Sequence, residues 1–187
     1  MDDVDPRSSA TGSEINRFWE TARGRAGLGR LAVVTGVSAA TAVPPPAWAF
    51  GATPEQADEL LALVLDGTKT ATASAHWEYE AEGEALPSPG DLSIVLDGAG
   101  HPRALVRTTA VAVVPFSQVG EEHARAEGEG DLSLAHWRDV HQRFFTATLA
   151  EVGRPFDDAM PVVCETLELL YPRRRGARER SPELVDA

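Results

Sequence analysis

Between Thr53 and Gly67 the chain writes a helix with both ends signed, and the residues beyond Gly67 cannot continue it. Thr53 is placed as an N-cap, Pro54 occupies the first turn, and Gln56 completes a capping box. Ala57, Leu60, Leu61, Val64 and Leu65 then form one apolar stripe, and Gly67 supplies the left-handed cap that ends it. The next run, Thr70 to Ala75, is small and β-branched and predicts a strand. Leu92–Leu96 is a second strand, turned by Asp97-Gly98-Ala99-Gly100 into a returning strand over Arg103–Val114 that is long enough to need a bend. Val162–Tyr171 is the last.

Helices surround this strand set. Glu14 to Ala26 carries Ile15, Phe18, Trp19 and Ala22 at helical spacing. Val119–Ala126 predicts a short helix started by Ser117. Ser133–Val152 predicts a longer one, with Leu134, Trp137, Val140, His141, Phe144, Phe145 and Leu149 inside and Gly153 as its stop. Hairpin signals outnumber crossovers, so the pattern points to an α+β fold: an antiparallel or mixed sheet, open or closed into a barrel, with flanking helices. With 187 residues, 43% of them apolar, the chain can bury one real core. The division is a disordered N-terminus over 1–12, a helix and an irregular Gly-, Ala- and Pro-rich connection over 13–47, one domain over 48–172, and a loose Arg-rich tail over 173–187.

The net charge of -12 opposes broad grip on a phosphate backbone, which needs many cations. DNA is therefore not an expected partner. A small nucleoside or a short single-stranded RNA in a locally basic cleft remains compatible. Cys164 is the only cysteine, so no internal disulfide can form, which fits a reducing, cytoplasmic setting. Leu31–Val43, with Ala47-Trp48-Ala49 after it, imitates a secretory signal. The long acidic lead, the polar interruptions and Pro44–Pro46 argue against export, and the stretch is too short and polar to span a membrane.

No phosphate-loop spacing, nucleophile elbow or HExxH is present. The five histidines make no tight ligand pair, so neither a metal site nor a cofactor is expected. One residue stands out instead. Lys69 is the single lysine among 17 basic residues, set in Gly67-Thr68-Lys69-Thr70-Ala71-Thr72-Ala73-Ser74. Arginine is permanently charged, whereas a buried lysine can lose its proton and act as a base. Thr72 and Ser74 add hydroxyls, and Glu127-Gly128-Glu129-Gly130-Asp131 adds carboxylates on a glycine-loosened loop. Each of these also reads as an ordinary strand face or a solvated loop. Lys69 and Thr72 share one site only if the backbone turns between them, because strand side chains alternate. Trp48, Phe50, Trp77 and Tyr79 flank the lysine and could stack on a base or simply pack.

In order along the chain, Trp48-Ala49-Phe50-Gly51, the Lys69 segment, Gly90-Asp91, Val114-Pro115-Phe116, the Glu127 loop, Trp137-Arg138 and Met160-Pro161-Val162-Val163-Cys164-Glu165 resemble the ASCH-domain family, over about Trp48 to Tyr171. The resemblance implies a PUA-like β-barrel and action on RNA or its building blocks. Some members of the family look like amidohydrolases that remove acetyl from N4-acetylcytidine, and others resemble metal-dependent ribonucleases. In the first branch the active residues are a Lys, a Thr three positions later and a Glu in His-Ala-x-x-Glu. Here they fall on Lys69, Thr72 and Glu127, the last in His123-Ala124-Arg125-Ala126-Glu127. Trp48, Phe50, Thr70, Ser74, Tyr79 and Glu129 are then the expected substrate contacts. The chain is longer than the compact amidohydrolases and looks like the longer branch of the family. The alternatives are a nucleotide-binding module without turnover, and a ribonuclease using a divalent cation near Glu127, Glu129 and Asp131.

Overall fold

The computed structural model describes residues 6–28 and 43–173. Helix α1 (Pro6–Arg25) begins well before Glu14, so residues 6–12 are helical where an unstructured end was expected. Residues 1–5, most of the Leu31–Val43 stretch and the tail beyond Arg173 lie outside the described residues. After strand β1 (Ala47–Trp48) comes helix α2 (Pro54–Asp66). Its ends are those the sequence signs: Thr53 accepts from the Gln56 amide, and Gly67 adopts φ 81° and donates back to Leu63 and Val64. Strand β2 (Ala71–Ala75) runs straight into helix α3 (His76–Glu82). The remaining elements are β3 (Leu92–Leu96), β4 (Pro102–Pro115), a 3-10 turn (Phe116–Gln118), α4 (Glu121–Glu127), α5 (Leu134–Glu151) and β5 (Pro161–Tyr171).

The five strands form one mixed sheet in the order β1-β3-β4-β5-β2. All pairings are antiparallel except β1 with β3. The expected bend in β4 is present as register shifts between Leu105 and Val106 and between Thr108 and Ala110. The expected barrel is not: the sheet stays open, with β1 and β2 at its two edges. The reason is local. β1 is two residues long and leads through Phe50 and a turn into α2, so it offers no ladder for β2 to meet. At the β2 end the chain turns to α4 instead, where the Thr70 amide donates to the Ala126 carbonyl at 2.7 Å.

Helices cover both faces because residues alternate along the strands. Ile94 and Leu105 pack with Trp19 and Ala22 of α1, while Val95, Ala104 and Val106 pack with Leu61 and Val64 of α2. At the far end, Ala75 and Val162 join Trp137, Phe145 and Leu149 of α5 and Ala124 of α4. No described helix is long and apolar enough to cross a membrane.

Candidate active site

Lys69 sits in the turn between α2 and β2. Its amide still donates to Leu63 of α2 at 3.0 Å, so the backbone swings round before the strand starts. That turn brings the side chain under the end of α4. The amine is buried, with 1% side-chain exposure, and so is Glu127 at 1%. Lys69 Nζ donates to Glu127 Oε2 at 2.9 Å and to Glu129 Oε1 at 2.7 Å; its third contact, to the Glu127 backbone carbonyl, is a long 3.5 Å. The Phe50 ring lies on another side, its centroid 5.4 Å from Nζ.

Glu127 is held from all directions. Its Oε1 accepts from the Trp137 indole at 2.6 Å and lies 3.1 Å from His123 Nε2 and 3.5 Å from His141 Nε2. Trp137 and His141 stack, with centroids 4.2 Å apart. The loop after α4 requires glycine. Gly128 has φ +74°, and a Cβ there would stand 2.7 Å from the Thr68 carbonyl, so only glycine lets the end of α4 press against the Lys69 turn.

The electrostatics correct one expectation. Burial alone would lower the Lys69 pKa, but the charges of Glu127 and Glu129 and their hydrogen bonds outweigh it, and the amine is pushed above its ordinary value. Burial would likewise raise Glu127, but Lys69 and the hydrogen bonds from His123 and His141 hold it well below the usual carboxylate range. The pair is therefore ammonium and carboxylate, and Lys69 is not the neutral amine that a base needs.

Thr72 is placed differently. It stands opposite Glu165 in the β2–β5 register, between Ala71 and Ala73, and Ala73 packs with the α5 cluster. Thr72 and Ser74 thus face the other side of the sheet. No hydrogen bond joins Thr72 to Lys69 or Glu127 among the described residues. Ser74 Oγ lies 3.0 Å from the Tyr79 hydroxyl, and Glu165 Oε2 accepts from Thr108 Oγ1 at 2.9 Å. Burial first, then the charge of Asp91, raises the Glu165 pKa against the opposing Thr108 bond. Burial raises Tyr79 too, with the Glu165 charge adding to it. Phe50, whose ring lies 5.4 Å from Lys69 Nζ, shares an apolar cluster with Leu167, which lies two residues from Glu165 on the same side of β5.

The other expected contacts divide. Tyr79 and Ser74 stay on the polar face; Thr70 is exposed at the strand entrance and its hydroxyl points to Ala126. Trp48 is half-buried edge-on to Phe50, and Phe50 itself is 5% exposed, so it packs in the core over the lysine and shows no open ring face. Glu129 serves as the second carboxylate of Lys69, with 19% of its side chain exposed. Asp131 Oδ1 accepts from the Ser133 amide, and no group of three or more His, Cys, Asp or Glu is gathered for a metal ion among the described residues. A shallow recess of about 260 Å³ lies on the α5 side of the sheet, lined by Ala112, Val114, Val119, His123 and Cys164. Burial pushes the Cys164 thiol up to about 12, so it is no nucleophile. Sequence reading missed Glu165, Thr108 and all of α3. Only the alternation of β5 and the Gly83 cap signal them.

The chain is similar to two solved structures. A crystal structure of protein EF3133 from Enterococcus faecalis V583, of the DUF984 family, is 32% identical with a TM-score of 0.70, over 85% of this chain and 91% of that one. The ASCH domain from Lactobacillus crispatus JV V101 is 31% identical with a TM-score of 0.65, over 79% of this chain and 94% of that one. No curated protein matches. The family model of the ASCH domain matches residues 46–171, which span the Lys69 turn, the Glu127 loop and every strand described above, and the chain belongs to the ASCH-domain family.

Proposed function

We propose that this ASCH domain acts on RNA or a modified nucleoside, hydrolysing an exocyclic amide of the N4-acetylcytidine kind with Thr72 as nucleophile. The observation that carries this reading is the buried Lys69 ammonium, clamped by two carboxylates in the turn that leads into the Thr72 strand. A desolvated ion pair is costly and is a weak device for stability alone, so its presence at this turn speaks for function. The charge of Lys69 is fixed, and its third N–H has only a long 3.5 Å partner. Such a donor suits the negative charge that develops on an amide oxygen under attack. Glu127 then holds the lysine charged and in place. The acidity of the chain favours a nucleoside, which brings no phosphate, over long RNA.

The charged state of Lys69 also favours a second reading, a module that grips a nucleotide without turning it over. One experiment separates the two. Incubation with N4-acetylcytidine, followed by chromatography for cytidine, gives release with the native chain and none with Thr72→Val. Normal ligand binding without release at any pH would leave only the binding module.

A further inference from the structure

We propose that Glu165 is the general base and acid of this site, taking the Thr72 proton during attack and returning it to the departing amine; this rests on the amide-hydrolase reading above. A threonine hydroxyl attacks a carbonyl only when something accepts its proton. Lys69, charged and committed to Glu127 and Glu129, cannot be that acceptor. Across the β2–β5 ladder the residue opposite Thr72 is Glu165. Side chains opposite one another on antiparallel strands share a face, with Cβ atoms about 4.5–5.5 Å apart, which brings a carboxylate within reach of a hydroxyl.

The surroundings of Glu165 suit the task. It is 9% exposed, and Thr108, 4% exposed, fixes its Oε2. None of the described residues bonds its Oε1. The titratable groups around it are Tyr79 on α3, tied to Ser74, and Asp91 on the loop before β3, whose carbonyl accepts from the Thr108 amide at 2.9 Å. No cation among the described residues pairs with Glu165. Burial and the Asp91 charge raise its pKa toward the range where one group can both accept and return a proton.

The Thr72 Oγ–H proton passes to Glu165 as Oγ bonds the amide carbon and the carbonyl electron pair moves to oxygen. Collapse of this intermediate breaks the C–N bond, and protonated Glu165 gives its proton to the leaving amine. Water then attacks the acyl-threonine, losing a proton to Glu165. The released Thr72 oxygen recovers that proton, and the products are the free amine and the carboxylic acid.

The test follows cytidine release from N4-acetylcytidine by the full chain. Glu165→Gln should lower kcat by about 10²–10⁴-fold with KM little changed. Thr108→Val removes a bond that lowers the Glu165 pKa, so the acid limb of the kcat–pH profile should move to higher pH. This variant carries the test if Glu165→Gln does not fold by circular dichroism. Native-like kcat in Glu165→Gln, or an unmoved limb in Thr108→Val, would overturn the role of Glu165 and leave the hydrolase reading standing. No cytidine from the native chain would overturn both.

Discussion

The indole nitrogen of Trp137 and the Oε1 of Glu127 lie 2.6 Å apart, a short buried bond between α5 and the last residue of α4. Through it the long helix is wired to the Lys69 turn. A carboxylate at 1% exposure needs every donor it has, because an unmet charge in the interior is costly. Trp137→Phe keeps an aromatic ring in the core but removes the donor together with some ring volume. It should cost about 1–3 kcal/mol. Urea unfolding followed by far-ultraviolet circular dichroism reads this directly, and an unchanged midpoint would show that water replaces the bond.

Lys69→Met takes from the buried Glu127 the ammonium that balances its charge. The loss should be about 3–5 kcal/mol. The double variant Lys69→Met/Glu127→Gln removes both charges and should recover a good part of it, a coupling that a double-mutant cycle measures. Additive losses would mean that the two side chains do not act as one unit.

Acid should unfold the protein through the same pair. The folded Glu127 stays ionised well below the value of 4.5 that an unperturbed glutamate has. Its contribution is therefore full above that value, where both states are ionised, and is lost as the pH falls and the unfolded chain takes up the proton first. Urea midpoints from about pH 6 down to about pH 3 should decline, and Glu127→Gln should flatten the decline. An identical slope in the variant would assign the acid sensitivity elsewhere.

Gly128→Ala tests the contact between α4 and the Lys69 turn. The left-handed backbone alone costs a non-glycine residue about 1–2 kcal/mol. The 2.7 Å approach to the Thr68 carbonyl adds to that, since backbone must shift. A loss of stability above that range is expected in urea melts, together with weakened ligand binding. A mild loss would mean that the turn is pliant.

Much of the fold was legible in the chain, and the reasons differ by element. Helix α2 is marked by Thr53, Pro54 and Gly67, so local chemistry alone places both ends. Helix α3 escaped because Ala75 gives it no side-chain cap and the strand runs straight into it. The α4 boundary moved because Phe116–Gln118 forms a separate 3-10 turn and Gly120, not Ser117, precedes the helix. The open sheet was beyond sequence reading, since edge pairing depends on where α2 and α4 lie in space.

At the site, the singular lysine and the His123-to-Glu127 segment were visible, and burial of the amine follows from them. Its charge state was not, because it depends on Glu127 and Glu129 arriving 58 and 60 residues later in the chain. Glu165 shows in the sequence only as the end of an apolar motif. Its place opposite Thr72 is a matter of register, which hydrophobic alternation alone does not give when β2 carries only small side chains.

The docking of α1 sets the size of the folding unit. Trp19, 1% exposed, lies on Ile94 and Leu105, although it precedes the segment that marks kinship with other ASCH domains. A fragment cut at that kinship boundary would bare a wide greasy patch on the central strands. The stretch by which such proteins are recognised is thus smaller than the stretch that must be made together for the sheet to stay sheltered.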